Sequence, residues 1–178
     1  MRKILSVAFM LNLLTSCAQT YQFINQTFEK EGVDNVVYLF DNFIDLETYI
    51  KFDSINEQTL QLWWSLKQNN PPIELFLNNF NIHEIKSELY KSKEDSIINF
   101  NKLKTFFKRS SADFIKSNPE NEYTSISKPI FNKEKNWAII VKSSFIPYTQ
   151  TGGSGMMMIY VKINNNWIKY YEFNIWLS

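Results

Sequence analysis

A change in hydrophobic spacing near residue 123 constrains the fold of this 178-residue chain more than any other feature. Before it, apolar residues recur mostly every three or four positions, the spacing typical of amphipathic helices. After it they alternate, as in half-buried strands, over four segments separated by short turns: residues 124–131, 137–147, 156–163 and 167–177. Because consecutive strands with short turns form antiparallel meanders, we expect an α+β fold with N-terminal helices packed on a C-terminal sheet.

The helical half contains four predicted helices and one predicted strand. Short apolar stripes indicate helices around Tyr21–Phe28, ended by Gly32, around Leu60–Leu66, capped by Ser54 or Asn56, and after Pro72. A longer stripe predicts a further helix that opens at Ser92 and carries six apolar side chains: Ile97, Ile98, Phe100, Leu103, Phe106 and Phe107. The β-branched and aromatic segment 36–40 favours a strand, which would give the sheet four to five strands. An NTF2-like cone is one version of this architecture.

The first twenty residues carry an export signal. Arg2 and Lys3 precede an apolar stretch, residues 4–14, that spans about 16 Å as a helix, roughly half a bilayer core. The segment Leu14-Thr15-Ser16-Cys17 resembles a bacterial lipobox, which implies removal of residues 1–16 and diacylation of Cys17. Residues 17–178 would then form a single domain tethered to the membrane of the cell envelope.

The same residues also fit cleavage at an alternative site. Ser16-Cys17-Ala18 places small residues as an ordinary signal peptidase requires, which would release a periplasmic or secreted chain starting at Gln19. In either case the domain keeps no cysteine for a disulfide bond.

Composition excludes several classes of protein. The net charge of +1 gives no electrostatic basis for nucleic-acid binding. One His, one Cys and four Gly leave little material for metal sites, nucleophilic triads or phosphate loops. We therefore predict no catalytic residue, no metal site and no cofactor.

The C-terminal third carries a family resemblance. It contains Ser127-x-Pro129-Ile130-Phe131-Asn132-Lys133, then Lys162-x-x-Asn165-x-Trp167 and a terminal Trp176-x-Ser178. This pattern resembles the C-terminal meander of small exported proteins of Bacteroidota, which are known mainly as proteins of unknown function. The resemblance implies an origin and a fold but no activity. Relatives often carry a Cys-Gly pair near the hairpin, which residues 145–155 lack, and a glycine where Asn165 stands.

Candidate chemical groups each have a structural alternative. His83, the single imidazole, is expected at a surface or a helix end. Carboxylates crowd residues 41–57, and a pair among Asp41, Asp45 and Glu57 could serve as acid and base, whereas solvated polar positions are the commoner outcome. Met156 and Met158 share the M-x-M spacing of copper carriers, although packing against aromatic rings is commoner.

Aromatic side chains and one glycine-rich loop supply the candidate contact residues. Trp63 and Trp64 are adjacent on a predicted helix, about 100° apart, which makes one of them the best candidate for an exposed contact, although core packing is the commoner outcome for such rings. The loop that holds Gly152, Gly153 and Gly155 adjoins Tyr148. If the protein has a partner, we expect the contact at this end of the sheet and not at the turn of residues 164–166, although a loop that only connects strands is the commoner outcome. These residues favour a non-catalytic envelope lipoprotein that binds a protein or a glycan. The alternative is a small envelope hydrolase that uses paired carboxylates.

Overall fold

The computed structural model describes residues 18–29, 36–44, 57–65, 71–91, 97–149 and 153–177. Within these ranges the chain forms five α-helices: α1 (residues 18–29), α2 (Glu57–Ser65), α3 (Ile73–Leu77), α4 (Ile82–Lys91) and α5 (Ala112–Ser117). It also forms seven strands: β1 (Val37–Leu39), β2 (Phe107–Arg109), β3 (Tyr123–Ile126), β4 (Ile130–Phe131), β5 (Trp137–Phe145), β6 (Ser154–Ile163) and β7 (Asn166–Leu177). Short 3-10 helices lie at Phe100–Lys102 and Pro147–Thr149.

All seven strands belong to one sheet, and the α+β prediction is confirmed. The strand order is β2-β1-β3-β5-β6-β7, and β4 also pairs with β5. Strands β3, β5, β6 and β7 form the antiparallel meander that the alternating pattern predicts. The predicted strand at residues 36–40 is β1, which pairs in parallel with both β2 and β3.

Two apolar clusters cover the two faces of the sheet. Odd-numbered residues of β5, such as Ile139 and Val141, pack against side chains of α2, α3 and α4. Even-numbered residues, such as Ala138 and Ile140, pack against α1 and the segment around Ile98. The predicted stripe of α1 is confirmed, because Tyr21, Ile24 and Phe28 are all buried in the second cluster. The predicted caps Ser54 and Asn56 and the predicted helix end at Gly32 lie outside the described residues.

The hairpin between β6 and β7 turns on two asparagines. Asn164 and Asn165 have φ angles of 48° and 63°, the left-handed region that a two-residue hairpin turn requires. Asparagine tolerates this region better than other non-glycine residues, so the predicted turn is confirmed.

The helix predicted to open at Ser92 is wrong over the residues that the structure describes. Residues 97–109 contain an isolated bridge at Ile97, the 3-10 turn Phe100–Lys102 and strand β2 instead. Hydrogen bonds from α1 favour this extended path: the Tyr21 hydroxyl accepts from the Asn99 backbone N–H, and the Asn25 side chain bonds Lys102 O and Lys104 N. The apolar spacing of the segment serves packing onto α1 and does not reflect helical periodicity.

The predicted strand 124–131 is divided. Ser127 lies between β3 and β4 and interrupts their pairing with β5. Its hydroxyl oxygen accepts the Val141 N–H at 2.9 Å, and its own N–H donates to Val141 O. Pro129 follows the interruption, where the absence of an N–H costs no strand pairing.

Candidate binding surface

Five aromatic rings form a surface at the end of the sheet where β5 finishes. We call this group the aromatic surface: Tyr38, Phe40, Phe114, Tyr123 and Phe145. Phe40 stacks on Phe145 with ring centroids 5.7 Å apart and an interplanar angle of 21°. Tyr123 lies 5.8 Å from both Phe145 and Tyr38, and Phe114 of α5 lies 5.1 Å from Tyr38. The rings thus form one continuous group that neither apolar cluster includes.

Strand register places these rings together. Tyr38 pairs with Tyr123 across the parallel β1–β3 ladder, and Tyr123 pairs with Phe145 across the antiparallel β3–β5 ladder. Because paired residues project to the same face, all three rings lie on one side, and Phe40 follows Tyr38 on that side by the two-residue period. This is also the face that α2, α3 and α4 cover farther along β5.

Tyr123 forms the base of the aromatic surface. Its ring is fully buried, and its hydroxyl donates to Asn118 O at 2.7 Å, just after α5. Burial raises the pKa of Tyr123 above its ordinary value of 10.0, and the nearby Asn121 side chain opposes this increase. The other four aromatic residues are half-buried. A fixed buried ring with four partly exposed neighbours makes a pre-organised apolar contact area.

A row of small residues borders the aromatic surface. Ser125 pairs with Ser143, and Ser143 pairs with Gly155 of β6, so these three positions lie side by side across β3, β5 and β6. They occupy the same face as Phe145 and Val141, between the rings and the cluster under α2, α3 and α4. The row therefore provides a shallow strip with two hydroxyl groups beside the rings.

The glycine-loop residues lie near this surface. Tyr148 is 78% exposed, and its backbone N–H donates to Pro119 O, one residue after the acceptor of the Tyr123 hydroxyl. Gly155 belongs to the small-residue row. A Cβ on Gly153 would lie 3.1 Å from Ser144 O, so the chain passes close to β5 there. Gly152 lies outside the described residues.

Of the two adjacent tryptophans, the structure describes the side chain of Trp64 only. Trp64 is 3% exposed, stacks on Tyr171 at 4.1 Å, and donates from its indole N–H to Pro71 O at 2.7 Å. Trp64 is therefore a core residue, and Trp63 is the member of the pair that stays a candidate contact residue. The side chain of Trp63 lies outside the described residues.

The candidate catalytic groups do not converge where the structure describes them. Asp41 forms an ion pair with Arg109 at 2.8 Å and its side chain is 49% exposed. His83 is an exposed residue at the start of α4, where its backbone N–H donates to Asn81 Oδ1. Asp45 and the Glu57 side chain lie outside the described residues. Among the residues described, no three His, Cys, Asp or Glu side chains come close enough to hold a metal ion.

The M-x-M pair packs into the protein. Met158 is 2% exposed and its sulfur accepts from the Tyr160 hydroxyl at 3.6 Å, and Met156 packs against the same cluster. The interpretation as packing against aromatic rings is confirmed for Met158.

Sequence reasoning missed most of the aromatic surface. Tyr38 and Phe40 belong to β1 and the residue after it, whereas Phe114 belongs to α5 and Phe145 to β5, so only the tertiary fold brings these rings together. The available signal was the continuation of the β5 alternation to Phe145, beyond the residues needed for the core.

Comparison with known proteins found no matching family model, no similar curated protein and no similar solved structure. Across the part of the chain that the structure describes, no helix combines the length and apolar character needed to cross a bilayer.

Proposed function

We propose that this protein is an exported, lipid-anchored, non-catalytic binding module of the cell envelope, and that its aromatic surface binds a glycan. The observation that carries the proposal is the group of four half-buried rings outside both apolar clusters. Rings that serve the fold alone are normally buried among other apolar side chains, whereas partly exposed, ordered rings are typical of binding surfaces.

The small-residue row favours a glycan over an apolar protein segment. A sugar ring presents C–H groups on its faces and hydroxyl groups around its edge. Phe40 and Phe145 would contact the C–H face, while the hydroxyls of Ser125 and Ser143 would exchange hydrogen bonds with the sugar edge. No charge is required from either partner, which agrees with a chain of nearly balanced charge.

The hydrolase alternative receives no support from the described carboxylates. Asp41 lies in an exposed ion pair with Arg109, and an acid–base pair for glycoside cleavage needs two carboxylates about 5–9 Å apart across a cleft.

A matched pair of variants tests glycan binding. The purified protein is incubated with peptidoglycan and with immobilised neutral oligosaccharides, and the bound fraction is measured over a concentration series. We expect Tyr38→Ala to weaken binding by about tenfold, the effect of losing one central aromatic contact. Ile168→Ala removes an exposed apolar side chain from β7, outside the aromatic surface, and it should leave binding unchanged.

Thermal unfolding of both variants separates loss of the surface from loss of the fold. Equal binding by wild type and Tyr38→Ala, with both proteins folded, would contradict the glycan proposal. Binding that is absent even in the wild type would redirect the search to a protein partner.

The lipid anchor is tested separately by intact mass and palmitate labelling. We expect the mature protein to begin at Cys17 with two or three acyl chains, and Cys17→Ser to lose the label. Label that persists in Cys17→Ser, or a soluble chain that begins at Gln19, would refute lipidation.

A further inference from the structure

A lysine-lined groove lies at the opposite end of β5 from the aromatic surface. Its volume is about 320 Å³, and its lining includes side chains from α1, from α4 and from the segment that leads into β5. Its polar and charged lining residues include Gln19, Thr20, Glu88, Lys128, Lys133 and Lys135. Three cationic side chains against one carboxylate make this groove locally basic, in a domain whose overall charge is nearly balanced.

The turn between β4 and β5 carries Lys133 and Lys135, and Asn132 holds its backbone. Asn132 is 3% exposed, and its side-chain oxygen accepts the backbone N–H groups of Asn136 and Trp137 at 3.0 and 2.9 Å. Its amide group donates to Asn136 Oδ1 and to Glu134 Oε2. Glu134, the carboxylate within the turn, is thus bonded to Asn132. Lys133 and Lys135 are exposed at the groove.

The groove is lined by the first turn of α1, which closely follows the proposed lipid attachment residue in the sequence. Gln19 and Thr20 line it, and they follow Cys17 by two and three residues. In the sequence a single residue separates Cys17 from Gln19. An acylated Cys17 would consequently bring the headgroup layer of the membrane to the groove.

We propose that the lysine groove binds the phosphate of an anionic phospholipid headgroup and so sets how the domain sits on its membrane. The proposal rests on the lipid anchor proposed above. A groove of this volume accommodates a phosphodiester headgroup, and lysine ammonium groups bind phosphate as point charges. Near an anionic bilayer each lysine contributes about 1 kcal/mol, or about fivefold in local binding.

Lysine labelling on the lipidated protein provides the test. The acylated full-length product is reconstituted in phosphatidylcholine nanodiscs, with or without phosphatidylglycerol, and is also kept in detergent. A water-soluble amine reagent is added, and labelling rates of single lysines are measured by mass spectrometry. We expect Lys128, Lys133 and Lys135 to react at least about fivefold more slowly in nanodiscs with phosphatidylglycerol than in nanodiscs without it or in detergent. Lys108 and Lys116, which lie on exposed positions outside the groove, should not change.

A pair of double variants with the same change in charge supplies the control. Lys133→Gln with Lys135→Gln should abolish the protection of Lys128 by phosphatidylglycerol. Lys108→Gln with Lys116→Gln should preserve that protection. The same measurement in detergent with inorganic phosphate distinguishes a free anion from a headgroup.

The outcomes are distinct. Protection that depends on phosphatidylglycerol and on the groove lysines supports the proposal. Equal labelling in all three environments, on a protein whose mass confirms acylation, overturns the groove proposal and leaves the anchor intact. Full protection by inorganic phosphate in detergent overturns the headgroup in favour of a small-anion site. A mass without acyl chains refutes the anchor itself.

Discussion

Tyr171 joins the sheet to α2 through one ring contact and one hydrogen bond. Its ring stacks on Trp64 at 4.1 Å, and its hydroxyl donates to Trp64 O at 2.8 Å. Trp64 and Tyr171 are both almost fully buried. The sequence indicated that one of the two adjacent tryptophans is exposed, and the contacts of α2 with β7 show that Trp64 is the buried one. A residue pattern cannot show which of two neighbouring rings faces a sheet that forms more than 100 residues later.

Substitution of Tyr171 tests this contact and its dependence on pH. Tyr171→Phe keeps the ring and removes the hydrogen bond, so the free energy of unfolding at pH 7 should fall by about 1 kcal/mol. Urea unfolding monitored by tryptophan fluorescence measures the change. Tyr148→Phe, at a side chain that is 78% exposed, should leave stability unchanged. A neutral result for Tyr171→Phe would contradict the role of the bond.

The pH dependence follows from the pKa. Burial raises the pKa of Tyr171 above its ordinary value of 10.0. Above about pH 10 the unfolded chain loses this phenolic proton while the folded chain keeps it, so stability is complete below that pH and falls as the pH rises toward the folded value. Tyr171→Phe should therefore lose less stability between neutral and alkaline pH than the wild type. Tyr123 and Tyr170 also have raised pKa values, so a smaller alkaline loss should persist.

At the level of elements, the sequence predicted the structures that depend on residues close together in the chain. The β5–β6–β7 meander and the Asn164–Asn165 turn follow from alternation and from backbone preference, and both are confirmed. Residues 97–109 could not be predicted in this way, because α1 supplies their hydrogen bonds from more than seventy residues away. Strand β2 and the aromatic surface were missed for the same reason, since each depends on pairing between distant segments.

Asn25 provides a test of this long-range control. Its amide donates to Lys102 O at 3.0 Å, and its side-chain oxygen accepts Lys104 N–H at 2.9 Å. Asn25→Ala improves helix propensity in α1 yet removes both bonds, and we expect a net loss of about 1 kcal/mol in the free energy of unfolding. Gln22→Ala is the control, because Gln22 is an exposed position of the same helix. If Asn25→Ala were as stable as Gln22→Ala, helix propensity would outweigh the contact between α1 and this segment.

At the scale of the whole molecule, β5 connects the two proposed surfaces. The lysine turn precedes Trp137 at its start, and the aromatic surface includes Phe145 at its end. Nine residues of strand extend over about 26 Å, so the two surfaces lie at opposite ends of β5. The β6–β7 hairpin belongs to the lysine end, because Lys162 N–H donates to Asn136 O at 2.7 Å. A domain whose lysine groove meets the bilayer would thus direct its aromatic surface away from the membrane, toward glycans beyond it.

Depth measurements on two single-cysteine variants test this orientation. With Cys17 acylated, an introduced cysteine carries the only free thiol. Asn166→Cys marks the hairpin at the lysine end, and Tyr148→Cys marks an exposed position at the aromatic end. Each is labelled with a fluorophore and reconstituted in nanodiscs that contain headgroup-spin-labelled lipid. Because contact quenching requires close approach, we expect strong quenching at position 166 and almost none at position 148. Equal quenching at both positions would mean that the domain lies on its side, and stronger quenching at 148 would place the aromatic surface against the membrane.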